Sequence, residues 1–358
     1  MPSFLPGAEL SRAFYAEAVR PLLGDLPHTA ARVGPGSDVL GFDSARSTDH
    51  DWGPRLELFL TPADLHRHGA DLSATLSARL PKRFRDWSTH FEQAADGVWV
   101  MADTDGPVAH HVRITEIGAW CDGLLGFDPR VSVTLLDWLA TPWQRFAEVT
   151  GGAVFHDGLG ELHQVRARLR WYPPDVWRYA LACQWQRISE EEPFVGRCAE
   201  AGDDTGSRLV AGRLARDVAR LCLLLARRWP PYQKWLGVAL ARESAAAEVA
   251  EALGRALRAA GGEARQQALC DAYELAGAWQ NRLGLAAEVP PVRRSFFGRP
   301  YPVIEAGRYA EALTAAIGDP AVAAMPGGGS IDQVVDNIAV LSSPGRCRAT
   351  YQPTMNLG

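Results

Sequence analysis

The chain has 358 residues, of which 47% are hydrophobic and 22% are charged. This length suits two domains better than one, and the composition excludes a chain that is disordered throughout. The formal net charge of -5 argues against a broad basic surface, and therefore against nucleic acid as the partner.

The sequence carries no targeting signal that we recognise. It has no apolar run of about 18 residues, so we expect no membrane-spanning segment and no membrane partner. Its first residues lack the basic and apolar regions of a signal peptide. The six cysteines form no C-x-x-C pair, which predicts free thiols in a reducing compartment and no zinc site. We therefore expect a cytoplasmic protein.

The first part of the chain predicts a mixture of helices and short strands. Leu10, Phe14, Ala18 and Leu22 recur at helical spacing. Turn-forming residues at 103–107 separate two β-rich runs, which suits a hairpin. We predict helices at 8–23, 63–80, 117–125 and 132–147, a strand at 55–60, and a hairpin formed by 97–102 and 109–117. Residues 29–33 lead into a Gly-Pro-Gly-Ser turn at 34–37.

The second part of the chain is dominated by Ala, Leu, Arg and Glu at helical spacing, with proline-rich joints between the segments. A helical bundle that follows a small mixed sheet is an α+β fold. We place the two domains at 1–150 and 151–358. The predicted helices of the second domain are 160–171, 175–191, 204–228, 244–260, 263–283 and 306–316.

The residues that indicate a chemistry are Gly36-Ser37 and Asp49-His50-Asp51. Gly-Ser at the start of a helix offers backbone N–H groups and a hydroxyl to phosphate. Two aspartates at i and i+2 on a strand point to the same face, and Mg²⁺ prefers carboxylate oxygens. We predict that Asp49 and Asp51 are catalytic and hold Mg²⁺ or Mn²⁺, with Gly36 and Ser37 binding the phosphates of a nucleoside triphosphate. The alternative is a polar turn followed by solvated acidic residues.

These residues resemble the nucleotidyltransferase superfamily, which has the DNA-polymerase-beta-like fold and shows Gly-Ser followed by Asp-x-Asp. In this sequence 11 residues lie between Ser37 and Asp49. More closely, the chain resembles an uncharacterised bacterial family that combines this fold with a C-terminal helical domain of unknown function. The resemblance implies a nucleotidyltransferase-like N-terminal domain of mixed sheet and helices. The stretches that carry it are 41–54, 154–158, 185–187, 191–197 and 231–237.

The resemblance also implies a third carboxylate on a later strand. Glu116 is the acid available on the strand predicted at 110–116, and we assign it to the metal site or to the role of base toward the acceptor. Strand alternation places Arg113 on the opposite face. If the face that carries Arg113 lines the metal site, then an arginine occupies the position where the resemblance implies a carboxylate. Asp103 and Asp105 are the substitutes, although turn residues are usually at the surface.

Three residues of the helical part are further candidates for nucleotide binding. Lys234 lies near a helix start beside Tyr232, where the pair could hold a phosphate. Arg197 follows Pro193–Gly196, a segment we expect to be non-helical, and could face the phosphates. Each of the three also suits a solvated surface position.

We predict the metal-dependent transfer of a nucleoside monophosphate from a triphosphate to a small-molecule acceptor, with release of pyrophosphate. One alternative is a catalytically silent nucleotide-binding regulatory protein, which binds triphosphate without releasing pyrophosphate. Another is a nucleotidyltransferase that modifies protein or RNA, which requires an open basic groove. The sequence does not identify the nucleotide or the acceptor.

Overall fold

The computed structural model describes residues 3–95 and 97–355 and shows a mixture of helices and short strands, which confirms the α+β class. The strands are β1 Thr29–Arg32, β2 Arg55–Phe59, β3 Arg83–Phe84, β4 Trp87–Ser88, β5 Phe91–Gln93, β6 Trp99–Met101, β7 His111–Thr115, β8 Ala153–Asp157, β9 Arg294–Ser295 and β10 Pro302–Val303. The helices are α1 Gly7–Phe14, α2 Pro62–Arg79, α3 Ile117–Leu125, α4 Leu135–Ala140, α5 Trp143–Thr150, α6 Glu161–Arg168, α7 Pro174–Glu191, α8 Phe194–Glu200, α9 Asp204–Leu225, α10 Gln233–Arg242, α11 Ala247–Arg258, α12 Gly262–Arg282, α13 Gly307–Ala315, α14 Pro320–Ala323, α15 Ile331–Val334, α16 Ile338–Leu341 and α17 Pro344–Met355.

The chain divides into two compact units whose borders differ from the predicted domains at 1–150 and 151–358. The first unit runs to Val133 and also contains Arg145–Arg170. The second unit contains Thr134–Gln144 and the chain from Trp171 onward. Strand β8 and helix α6 therefore belong to the first unit, because β8 pairs with β1 in its sheet.

A four-stranded sheet in the order β7-β2-β1-β8 organises the first unit. Strand β1 is antiparallel to β2 and β8, and β2 is parallel to β7. Alternation along β2 gives the sheet two different faces. Leu56 and Leu58 enter a hydrophobic core that includes Leu10 and Phe14 of α1, whereas Arg55 and Glu57 lie on the other face.

Helices make up most of the second unit, and aromatic side chains pack between them. Trp185 on α7 is fully buried, stacks on Tyr309 of α13 at 4.5 Å, and donates its indole N–H to Gln280 of α12. Trp177, earlier on the same helix, donates to the carbonyl of Leu224 on α9. Trp177 and Trp185 are therefore packing residues of this unit.

The hairpin predicted from 97–102 and 109–117 and the single helix predicted at 132–147 are wrong. The hairpin partner of β6 is β5, and β7 instead joins the central sheet beside β2. Alternation along β7 did not identify its partner strand. Val112 of β7 is buried in the same core as Leu56 and Leu58 of β2. The helix predicted at 132–147 is two helices, α4 and α5, because Pro142 between them lacks the N–H that a continuous helix requires.

Helices long and apolar enough to cross a membrane are absent from the described ranges 3–95 and 97–355.

Candidate functional site

One end of the central sheet collects the chemically interesting residues of the first unit. Because β1 is antiparallel to β2 and β2 is parallel to β7, the carboxyl end of β1 lies beside the amino ends of β2 and β7. Arg55 pairs with His111 in the register at this end. The chain therefore places Gly36 and Ser37, which follow β1, at the sheet end that the Asp49–Asp51 segment enters.

Gly36, Ser37 and Asp38 form a turn, as the Gly-Pro-Gly-Ser composition at 34–37 predicts, but no helix starts there, contrary to the helix start assumed for phosphate binding. Phe42 donates its N–H to the carbonyl of Ser37 at 2.8 Å, and Val39 donates to Gly36 at 3.2 Å. In the described part of the chain, the N–H groups of Gly36, Ser37 and Asp38 themselves form no hydrogen bond. Backbone N–H groups of a turn that have no acceptor in the protein can donate to an anion.

Glycine is required at position 36. Its φ of +146° is one that L residues rarely adopt. A Cβ atom there would lie 2.2 Å from Asp38 Oδ1 and 2.8 Å from Arg55 Nη2. The turn can therefore approach these charged groups only because residue 36 has no side chain.

A buried network of four charges supports the turn. Arg32 Nε donates to Asp38 Oδ2 at 2.7 Å, and Arg55 Nη2 donates to Asp38 Oδ1 at 3.1 Å. Arg32 Nη1 also lies 3.6 Å from Glu57 Oε2. Burial opposes ionisation of Asp38, but the two guanidinium groups outweigh it and hold the pKa of this carboxyl below its ordinary value. For Glu57 burial dominates and raises the pKa.

Sequence reasoning missed this network. No role was predicted for Asp38 or Glu57. The available signal was the pair Arg55 and Glu57 at alternate positions of β2, which places two opposite charges on one face of the sheet.

Asp49 and Asp51 do not lie on a strand, contrary to the prediction. Asp49 ends a 3₁₀ turn, and its Oδ1 lies 3.0 Å from Nδ1 of His50. Asp51 has a φ of +46°, donates its N–H to the carbonyl of Trp99, and accepts the N–H of Trp99 at Oδ1 over 3.2 Å. The strand argument for a shared face therefore fails, although both side chains are exposed. Their role as metal ligands stays a prediction.

Glu116 does not join Asp49 and Asp51 in a three-carboxylate site. It follows the carboxyl end of β7, so roughly 16 Å of strand separates it from the end where β2 begins. Its carboxylate caps α3 by accepting the N–H groups of Gly118 and Ala119, and it contacts Arg130. Across residues 3–95 and 97–355, no three His, Cys, Asp or Glu side chains are grouped so that they could hold a metal ion.

Arg113, Asp103 and Asp105 were the other residues considered for the third carboxylate position. Arg113 is exposed and pairs in register with Glu57, on the same face of the sheet. Asp103 and Asp105 are exposed, as their turn composition indicated, and Asp103 pairs with Arg83. None of these residues supplies a buried carboxylate next to Asp51.

Tyr232, Lys234 and Arg197 belong to the second unit. Tyr232 precedes α10 and donates its N–H to Gln144, and Lys234 lies over the ring of Trp235 at 4.9 Å. Arg197 lies on α8, which starts at Phe194, so the segment predicted to be non-helical begins a helix. All three side chains are exposed, and their part in nucleotide binding stays a prediction.

His111 lies between aromatic rings at the sheet end. Its ring stacks on Phe91 at a centroid distance of 4.5 Å and contacts Trp99 at 4.9 Å. Burial, followed by the positive charge of Arg55, lowers the pKa of His111 to about 4. The imidazole is therefore neutral at physiological pH.

This neutral His111 predicts a dependence of stability on pH. The unfolded chain binds a proton at this residue below its ordinary pKa of about 6.5, whereas the folded chain does so only near 4, so acidification through this window favours unfolding. Between pH 7.5 and pH 5.0 the wild type loses free energy of unfolding, and we attribute about 2 kcal/mol of this loss to His111. The His111→Phe variant keeps a stacking ring but has no group to protonate, so its loss should be smaller by that amount. Urea unfolding of both proteins at the two pH values measures this difference, and equal losses would contradict it.

Comparison with known proteins gives one match. Residues 138–236 match the family described as "Domain of unknown function (DUF4037)". The matched segment begins within α4, includes β8, and ends within α10. It does not include Gly36, Ser37, Asp49 or Asp51. No curated protein matches the chain, and no solved structure matches it.

Proposed function

We propose that the protein is a metal-dependent nucleotidyltransferase that moves a nucleoside monophosphate from a triphosphate to a small-molecule acceptor. The observation that carries the proposal is the Gly36–Asp38 turn. In the described part of the chain the N–H groups of residues 36–38 form no hydrogen bond, and Nη2 of Arg55 lies beside Gly36, at the sheet end that Asp49 and Asp51 approach. Unbonded N–H groups next to a cation suit phosphate.

The donor set also suits a magnesium ion. Magnesium takes one or two protein carboxylates and completes its shell with water and substrate phosphate oxygens. Asp49 and Asp51 are exposed carboxylates and would hold the ion, and manganese accepts the same donors. The bound ion would neutralise negative charge on the phosphate oxygens.

In the proposed reaction, an oxygen of the acceptor forms a bond to the α-phosphorus, and the bond from that phosphorus to the oxygen bridging to the β-phosphate breaks. The leaving pyrophosphate takes the bonding electron pair, and the acceptor proton passes to solvent. The contribution of the chain is to bind and orient, because the Gly36–Asp38 turn would hold the β- and γ-phosphates that become the pyrophosphate.

A second candidate function is nucleotide binding without transfer. One contact favours it, since Oδ1 of Asp51 already accepts the N–H of Trp99. This contact uses part of the lone-pair capacity that a metal ion would need. The two candidates differ in whether pyrophosphate appears.

The test is incubation of the full chain with magnesium and each of the four common ribonucleoside triphosphates, in the presence of a low-molecular-mass cell filtrate as the source of acceptors. We expect release of pyrophosphate with at least one triphosphate and equilibrium binding of the same nucleotide. Binding without pyrophosphate would overturn the transferase and leave the silent nucleotide-binding protein. Absence of binding for all four nucleotides would overturn both.

A further inference from the structure

The side chain of Arg55 lies against the Gly36–Asp38 turn with much of its donor capacity unused. The residue is 9% exposed. Its Nη2 donates to Asp38, but within residues 3–95 and 97–355 its buried Nε has no hydrogen-bond partner. An unpaired buried donor costs free energy, so its presence calls for an explanation.

Arg32, the other arginine of the buried network, provides the contrast. Its Nε and Nη2 donate to Asp38, its Nη1 donates to the carbonyl of Val33, and its Nη2 also donates to Pro35. Arg32 is 1% exposed. Arg32 is thus fully engaged in holding the turn, whereas Arg55 retains donors for another acceptor.

Both acids of the network are paired with its arginines. The carboxylate of Asp38 is buried and accepts three guanidinium hydrogen bonds. Glu57 accepts the N–H of Val33 and lies near Arg32. Beside Gly36 lie the paired Oδ1 of Asp38 and the Nη2 atoms of Arg32 and Arg55, and in the described part of the chain the N–H groups of residues 36–38 form no hydrogen bond.

We propose that Arg55 is the side-chain ligand for the polyphosphate tail that the Gly36–Asp38 turn binds. The identification of this anion as the tail of a nucleoside triphosphate rests on the proposed function. A guanidinium is planar and offers parallel N–H groups that match two phosphate oxygens. Arg55 thereby supplies the positive charge that the turn itself lacks.

The test uses inorganic tripolyphosphate, without metal or nucleoside, titrated calorimetrically into the full chain at fixed ionic strength. We expect the Arg55→Gln variant to bind tripolyphosphate about 10-fold more weakly than the wild type, or worse. Arg55→Lys keeps the charge but not the fork, and we expect an intermediate affinity. Arg85→Gln is the matched control, because Arg85 is an exposed arginine of the same unit paired with Glu17, and we expect it to bind as the wild type does.

Equal affinities for the wild type and Arg55→Gln would overturn the role of Arg55 and leave the proposed function intact, since pyrophosphate release is measured separately. Wild-type protein that releases pyrophosphate from triphosphates but does not bind tripolyphosphate would also overturn this inference alone. If the Arg55 variants do not fold, a crystal structure of the wild type with tripolyphosphate decides. We expect a phosphate oxygen at about 2.8 Å from the Arg55 guanidinium, and a bound anion that does not touch Arg55 would overturn the inference.

Discussion

Replacement of both Asp49 and Asp51 by asparagine is expected to reduce pyrophosphate release by about 100-fold or more. The amide groups keep the shape of the carboxylates but lose the negative charge that a magnesium ion requires. The fold should survive, because both residues are exposed and an amide at position 51 would still offer an oxygen to the N–H of Trp99. The measurement is the initial rate of pyrophosphate release at saturating magnesium.

The chain contains a matched control for this double variant. Asp103 and Asp105 have the same i, i+2 spacing and are also exposed, but Asp103 pairs with Arg83 in a surface turn. We expect Asp103→Asn/Asp105→Asn to retain the wild-type rate. If the Asp49/Asp51 variant turns over like this control, those two residues are not the metal ligands and the proposed site is wrong.

Removal of the Asp38 carboxylate is expected to destabilise the first unit strongly. Asp38→Ala leaves the guanidinium groups of Arg32 and Arg55 without their shared acceptor, and both arginines are buried. Breaking a buried ion pair from one side costs about 3–5 kcal/mol. That is a large part of the total stability of a typical domain, which is about 5–15 kcal/mol.

Urea unfolding at pH 7.5, followed by circular dichroism, measures the effect of Asp38→Ala. The comparison is Asp103→Ala, which removes one partner of a solvent-exposed ion pair with Arg83 and should cost about 1 kcal/mol or less. Similar midpoints for the two variants would show that the Asp38 network does not hold the turn in place.

Periodicity in the sequence was sufficient to predict most helices and strand β2. Leu56 and Leu58 alternate with Arg55 and Glu57, and this pattern identifies a strand with one buried face. The pattern did not identify the strand's neighbours, because pairing depends on contacts between distant segments. For this reason the sequence pattern did not show that β7 pairs with β2 and not with β6.

The sequence identified candidate residues of the site but not their conformations or contacts. Gly36 and Ser37 do form a turn after the end of β1, but the conformation of Asp51 depends on Trp99, which lies 48 residues away. The spacing of Asp49 and Asp51 contains no information about this tertiary contact. Glu116 was placed wrongly because the direction of β7, set by its parallel pairing with β2, decides which end of the sheet receives it.

The four-charge network beneath the turn also limits how this sequence can change. Arg32, Asp38, Arg55 and Glu57 contribute two positive and two negative groups to one buried location. A single replacement leaves an uncompensated ion, whereas loss of one cation together with one anion preserves neutrality, and apolar side chains of similar volume can substitute for a whole ionic cluster. Viable divergence at these positions should therefore proceed through paired exchanges, and a homologue that has replaced all four charges could keep the sheet while losing the anion site.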